Sequence, residues 1–423
     1  MSKIKLTPAM RQYSEFKEQH PDSILFFRMG DFYEMFFDDA IIASNILGIA
    51  LTSRDKEKQI PMCGIPYHAA KTYIPRLIKE GHKVSICDQV GEVGAGKIVD
   101  RAVTQVITPG TAMDDYGSYE GKSNSYIASV FRGNSVYGFS YMDLTTGEYK
   151  YTEVVSTQSV LDELSRLTVR EVIIEEELYR SNFEAASLKI RFKMPYLSFV
   201  PREFFNEDPA TNDHGGHSDD EVQTKLDLGS STGTIAAKAL INYVRTSCNI
   251  PLNNISSNLV KYNAEDYLYF DDKADSNLNI QSSADQSSTG TLLTLLDKTK
   301  SSLGGRRLRS WVARPLLDVA VITERHDAVE ELYNDRVLLK KIQGMLGDVY
   351  DIERIMTRVE LLRAAPVDLI QLARTLNIIS KFKEELSRCS SERFQFISVN
   401  LVDLTELFKV LSEAIVDEFS EDD

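Results

Sequence analysis

"FFRMGDFYEMFF", residues 26–37, decides how the chain begins to fold. It sets six aromatic side chains around Gly30-Asp31 and places Glu34 two residues after Phe32. With Ser23 to Leu25 before it, the apolar first half reads as a buried strand. The second half carries Asp31-x-x-Glu34, which has the form of a capping box, and both carboxylates sit favourably near a helix N-terminus. The spacing therefore predicts a helix from Phe32 onward, with Glu34 in its first turn. Tyr33, Phe36, Ala40, Ala43 and Leu47 would share its apolar face, and Gly48 is its stop signal. Phe32 lies off that face and is expected to project towards solvent. Two readings stand at this point: the run is core packing and Glu34 a helix-start residue, or Phe32 and Glu34 are held out for a ligand.

Working outward, "HKVSICDQV" and "RAVTQVITPGT" read as further strands, so residues 1–113 form an α/β segment. "DDYGSYEGKSN", residues 114–124, is rich in Gly, Ser and Asp and reads as a linker. Beyond it "SYIASVFR", "SVYGFSYMDL" and "EYKYTEV" alternate apolar and polar residues and are joined by turn sequences, which predicts a three-stranded antiparallel meander. A helix over 158–167 and the apolar strand "EVIIEE" follow, giving a second segment of sheet and helices over 125–255. The tract "NEDPATNDHGGHSDDEVQ", residues 206–223, reads as an exposed loop. From residue 262 to 423 the period becomes helical, in "TLLTLLDKTKSSLGGRRLRSWV", "ITERHDAVEELYNDRVLLKKIQGML" and "DLIQLARTLNIISKFKEEL", and predicts an all-α segment.

A chain of 423 residues, 43% apolar, is long enough for several domains, each with its own core. No apolar run has the length of a membrane span and the first residues form no signal-peptide core, which predicts a cytoplasmic protein. The four cysteines, Cys63, Cys87, Cys248 and Cys389, lack metal-ligand spacing and are expected as buried reduced thiols. The net charge of −15 argues against a nucleic-acid partner, but it is unevenly spread. Residues 1–113 hold 14 Lys and Arg against 13 Asp and Glu, a net of +1, and the rest hold 34 against 50, a net of −16. Only the first segment can approach phosphates without strong repulsion.

"FFRMGDFYEMFFDDA", "LTSR", "IPMCGIPYHAAKTYIPRLIKEGHKVSICDQV" and "VTQVITPGT" follow one another in the order and at about the spacing found at the start of the MutS family of bacterial DNA mismatch-recognition proteins. The resemblance continues into "TLLTLLDKTKSSLGGRRLRSWVARPLLD" and "DIERI" and covers nearly the whole chain. It implies an α/β mismatch-recognition domain over 1–113, a ribonuclease H-like α/β connector over 125–255, and an incomplete all-α core or lever domain over 262–423. It also implies that Phe32 enters the minor groove and stacks on a mispaired base while Glu34 hydrogen-bonds a base at the mismatch. An apolar wedge unstacks a base step at a cost of a few kcal/mol, less where pairing is already faulty, so discrimination comes largely from deformability. Glu34 is repelled by phosphates unless a mispaired base offers it a partner, and it can bind partly protonated. Arg54, Lys56, Lys58, Lys97 and Arg101 are candidates for backbone contacts. Met29 and Met62 either line the groove or belong to the core. The implied partners are duplex DNA with mismatches or small loops and repair proteins such as MutL, in the bacterial cytoplasm at the nucleoid.

Other motifs compete. "GEVGAGKI", residues 91–98, nearly fits a phosphate-binding loop, but Ile98 has no hydroxyl for Mg²⁺, and "GSYEGKS" is one residue too short. No complete Walker motif is present, so neither ATP hydrolysis nor an ATP or Mg²⁺ cofactor is expected, and the clamp and the ATPase and dimerisation domains of the family lie outside this sequence. "DHGGHSDD" has the composition of a metal site, though a polar loop accounts for it. Asp143 in "YMDL" raises a metal-dependent nuclease, without visible acidic partners. Arg306, Arg307, Arg309 and Arg314 beside Trp311 suit nucleic acid or, as their family position favours, pairing with acidic neighbours such as Asp318 or Glu324. The alternative from another class is a protein-interaction module of a repair complex, with little DNA binding of its own.

Overall fold

The computed structural model of the protein describes residues 7–54, 60–90, 100–112, 121–167, 169–183, 195–206, 230–248, 250, 258–281 and 289–415. The first part of the chain runs through α1 (Pro8–Gln19), β1 (Ser23–Met29), β2 (Phe32–Phe36), α2 (Phe37–Leu47), β3 (Thr52–Ser53), β4 (Pro61–Pro66), α3 (Ala70–Lys79), β5 (Lys83–Gln89) and β6 (Arg101–Ile107). Its strands form one sheet in the order β3-β4-β2-β1-β5-β6, with β1 and β5 parallel and the other pairs antiparallel. β1 is apolar almost throughout because both faces of the sheet are covered there. Ile24 and Phe26 join Ala40, Ala43, Ile74 and Leu77 in one core, whereas Leu25 and Phe27 join Met10 and Tyr13 of α1 in another. Leu25, Phe26 and Phe27 are fully buried, which contributes roughly 1.5–3 kcal/mol each.

The expected helix after Asp31 is not formed. Gly30 and Asp31 are instead the two-residue turn of a β1–β2 hairpin that pairs Met29 with Phe32 and Phe27 with Glu34, and Gly30 takes a φ of +59°. Asp31-x-x-Glu34 is a local pattern, whereas β2 is an inner strand with β1 on one side and β4 on the other. Ladders on both sides satisfy its backbone more completely than one capping box would. The helix starts at Phe37 and ends, as its glycine predicts, at Gly48 with a φ of +66°. Tyr33 does share a core with Ala40, Ala43 and Leu47, but Phe36 points to the opposite face, because side chains alternate along a strand. Asp39, in the first turn of α2, is buried and accepts from Tyr13 Oη at 2.8 Å, Lys17 Nζ at 2.8 Å and the amide of Leu25 at 3.0 Å. It bolts α1 onto the sheet and so fixes how far that helix covers it.

The second part contains β7 (Tyr126–Arg132), β8 (Tyr137–Asp143), β9 (Glu148–Val154), α4 (Thr157–Arg166), β10 (Val169–Glu175), α5 (Glu176–Leu178), β11 (Tyr196–Val200), α6 (Thr232–Asn242) and β12 (Leu259–Lys261). The predicted meander is present as β7, β8 and β9, inside a sheet of order β11-β10-β7-β8-β9-β12. α6 packs on one face and α4 on the other. Gly138 admits the start of α6, since a Cβ there would lie 2.0 Å from the Thr232 carbonyl oxygen. Asp143 is a buried turn residue that accepts from Asn124 Nδ2, the Ser125 amide, and both the amide and hydroxyl of Thr145. Among the described residues no group of three or more His, Cys, Asp or Glu is placed to hold a metal ion. "DHGGHSDD" and "GEVGAGKI" lie outside the described residues, as does most of "GSYEGKS".

The remainder is helical as predicted: α7 (Asp272–Asn277), α8 (Leu292–Leu296), α9 (Ser302–Ala313), α10 (Val319–Asn334), α11 (Arg336–Gly347), α12 (Ile352–Glu360), α13 (Pro366–Ser387), α14 (Glu392–Asn400) and α15 (Thr405–Ala414). The expected arginine partners are corrected. Arg306 pairs with Asp351 and Glu353, and Arg314 pairs with Glu163 of α4 and donates to Tyr141 Oη at 2.9 Å. Asp318 caps α10, and Glu324 pairs with Arg393. The end of the supposed linker is anchored too: Gly121 and Ser123 offer carbonyls to Arg306 and Arg354, and Lys122 pairs with Asp297. All four cysteines are free and buried. No helix among the described residues is long and apolar enough to cross a membrane.

Candidate nucleic-acid interface

Along β2 the side chains of Phe32, Glu34 and Phe36 share the sheet face on which α1 lies. α1 covers one end of it. The Tyr13 ring stands edge-on to Phe36 at 5.0 Å and to Phe27 at 5.7 Å, and Phe36 is 1% exposed. Towards the hairpin turn the cover ends, and Phe32 is 48% exposed. In the ladder Phe32 stands between Met29 on β1 and Pro66 on β4, its register partners on either side. A large apolar side chain is thus displayed at the tip of a paired hairpin, a far stiffer mount than a free loop.

Glu34 lies between Phe27 and Gly64. Gly64 has no side chain to crowd it, and a Cβ there would come within 3.7 Å of the Glu34 Cγ and 3.2 Å of the Tyr33 carbonyl oxygen. Arg54, just past β3, donates to a Glu34 carboxylate oxygen, sits 5.7 Å from the Phe36 ring centroid and has Nη1 4.0 Å from Met62 Sδ. Burial lifts the Glu34 carboxyl above its ordinary value, and the opposing pull of Arg54 does not cancel this. The carboxyl is therefore easier to protonate than a free one. Arg101, opening β6, lies 4.7 Å over the Phe27 ring, donates from Nε to the Arg28 carbonyl at 3.0 Å and from Nη1 to Gln12 Oε1 at 2.8 Å, and has Nη2 3.5 Å from Met29 Sδ.

The fold thus gathers Met29, Phe32 and Glu34 of the hairpin with Arg54, Met62 and Arg101 from three later stretches of the chain around one patch. Met29 and Met62 are both partly buried beside the α1 core, so they edge the patch without leaving the packing. Lys56, Lys58 and Lys97 lie outside the described residues. Sequence reasoning passed over Gly64 and also Tyr67, which is 43% exposed beside the hairpin, carries the Arg28 guanidinium 3.5 Å from its ring centroid and donates its amide to the Asp31 carbonyl at 3.0 Å. The glycine inside the apolar strand "MCGIP" was the available signal, since it marks a close approach.

Comparison with known proteins gives three family matches in sequence order: MutS domain I over residues 7–116, MutS domain II over 125–256 and MutS domain III over 273–423. The chain is 36% identical over 423 residues to the DNA mismatch repair protein MutS of Acetivibrio thermocellus, covering 98% of this chain and 48% of that protein. It is 38% identical to the protein of the same name from Desulforamulus reducens (97% of this chain, 48% of that one) and 38% identical to that of Clostridium botulinum (97% and 44%). The chain spans about half the length of the curated relatives it matches.

Proposed function

The chain belongs to the MutS family, the relatives named above are DNA mismatch repair proteins, and from that premise we propose that it binds duplex DNA at mispaired bases through Phe32 and Glu34. The observation that carries this reading is the half-exposed Phe32 ring at the end of a rigid ladder, one alternation from a carboxyl whose burial favours its protonated form. The ring enters the minor groove and stacks on the mispaired base, where unstacking costs least. Glu34 follows it into the groove and exchanges its bond from Arg54 for one with the base. As a carboxylate it accepts from a base N–H, and as a carboxylic acid it also donates to a ring nitrogen. Arg54, released, becomes available to a phosphate, so part of the charge cost of Glu34 is offset at the moment of binding.

In this reading residues 1–113 are the recognition domain, residues 125–255 a connector of ribonuclease H-like type, and residues 262–423 part of a core or lever domain. The last two carry the net negative charge and offer surfaces to repair proteins such as MutL. Binding needs neither ATP nor Mg²⁺, and the chain performs no hydrolysis. Fluorescence anisotropy with a G·T duplex and its matched control, at one stated salt concentration, tests the proposal. Preference for the mismatch that disappears in Phe32→Ala is the expected result. Equal binding to both duplexes by the parent protein would favour the protein-interaction reading instead.

A further inference from the structure

We propose that Glu171 is a positioning residue that locks the wedge-bearing sheet onto its neighbour, and so sets the direction from which Phe32 meets DNA; this rests on the reading of Phe32 above. Glu171 lies inside β10 of the second sheet and is fully buried. Its two carboxylate oxygens serve different parts of the chain. Oε1 accepts from Ser198 Oγ at 2.5 Å and Tyr243 Oη at 2.6 Å, both within the second part. Oε2 accepts from Thr108 Oγ1 and from the Gly110 amide at 3.1 Å, both in the "TPGT" loop that leaves β6 of the first sheet.

That loop is shaped for the contact. Thr108 and Thr111 cap one another, with amide-to-hydroxyl bonds of 3.0 and 3.1 Å, which turns the Gly110 amide outward. Gly110 has no room for a side chain, because a Cβ would fall 2.7 Å from the Glu171 Cβ and 3.0 Å from the Ile127 Cβ. Close by, Lys83 of β5 is almost buried, stands 5.0 and 5.8 Å from the rings of Tyr196 and Tyr243, and pairs with Asp22 at 2.8 Å.

If the two parts separated, Oε2 would lose both donors, and a buried carboxylate left half satisfied is strongly unfavourable. The contact therefore behaves as all or none. β6, β5, β1 and β2 are consecutive strands of one hydrogen-bonded sheet, so an angle imposed at the loop after β6 is carried rigidly to the hairpin that holds Phe32.

Spin labels on cysteines placed at the exposed positions Lys79 and Val155, one in each part, read the angle without DNA, since the native cysteines are buried. The parent should give one narrow distance distribution. Glu171→Ala should broaden it, as should Thr108→Val, which leaves the second part untouched and covers the case in which Glu171→Ala does not fold. Glu171→Gln should stay narrow, because its carbonyl accepts from Gly110 while its NH₂ donates to the Ser198 or Tyr243 oxygen. In the broadened variants the ratio of G·T to matched affinity should fall towards one with Phe32 intact. A narrow distribution in both Glu171→Ala and Thr108→Val overturns the lock, and a broad one with an unchanged ratio overturns its role in aiming the wedge. Lack of mismatch preference in the parent would remove the proposed function but leave the distance result to decide the lock.

Discussion

Phe36 and Phe32 stand on the same face of the same strand, four residues apart, yet one is 1% and the other 48% exposed. Nothing in their chemistry distinguishes them. What differs is α1, which Asp39 pins over Leu25, Phe27 and Phe36 and which leaves the hairpin end bare. An aromatic under a helix supplies stability, and the same aromatic beyond it supplies a surface that can still gain by burial. The comparison teaches that an exposed apolar surface is made here by stopping a core short.

The largest effect should come from the covered end. Phe36→Ala is expected to cost about 3–5 kcal/mol in denaturant melts, as a buried aromatic truncation, while the folded fraction keeps its G·T preference. Phe32→Ala is the mirror image. Its melt should stay within about 0.5 kcal/mol of the parent, and its binding to a G·T duplex should weaken by about 1–3 kcal/mol, the worth of one stacked base. A melting loss as large as that of Phe36→Ala, with unchanged discrimination, would place Phe32 in the core and end the contrast.

Two smaller tests address the mount and the carboxyl. Gly30→Ala must hold a φ of +59°, which costs about 1–2 kcal/mol for a residue with a Cβ, and the strain should appear as lower stability and a weaker mismatch preference together. Preference retained at full stability would show that the turn does not set the ring's position. For Glu34, the folded state raises the carboxyl above its ordinary value of 4.5, with burial the first cause, so its stabilising share is complete below that value and lost as pH rises through the folded one. Glu34→Gln should then be slightly more stable than the parent near neutral pH, by under about 1 kcal/mol, with the gap closing on acidification. A gap that stays constant in melts from about pH 7 to about pH 4 would mean that Glu34 does not titrate in this range.

Much of this was legible in the chain itself. The strands β1, β5 and β6, the meander, and the helical last third follow from runs and periods that report burial directly. Phe32 was marked as exposed because it fell off the apolar face, although that face was drawn on the wrong element. The strand from Phe32 to Phe36 was missed because Asp31-x-x-Glu34 fits a helix start and because two-sided burial of β1 hides its alternation. Glu171 was hidden in a run read only as an apolar strand. An acid opening an apolar run in "REVII" was the signal, since a strand seldom buries a carboxylate without donors waiting for it.

The sequence by itself determined the segments, the uneven charge that leaves residues 1–113 able to meet phosphates, the family, and the residue types at the candidate site. Those depend on local composition and spacing. Only the tertiary structure decided which phenylalanine is covered, that Arg54 holds Glu34, that Arg306 and Arg314 serve Asp351 and Glu163, and that Thr108 closes on Glu171. The partners in these last three contacts lie 45, 151 and 63 residues apart. A charge or donor has many acceptable partners along a chain, and only the packing of distant elements, which fixes who is near and what is dry, selects one.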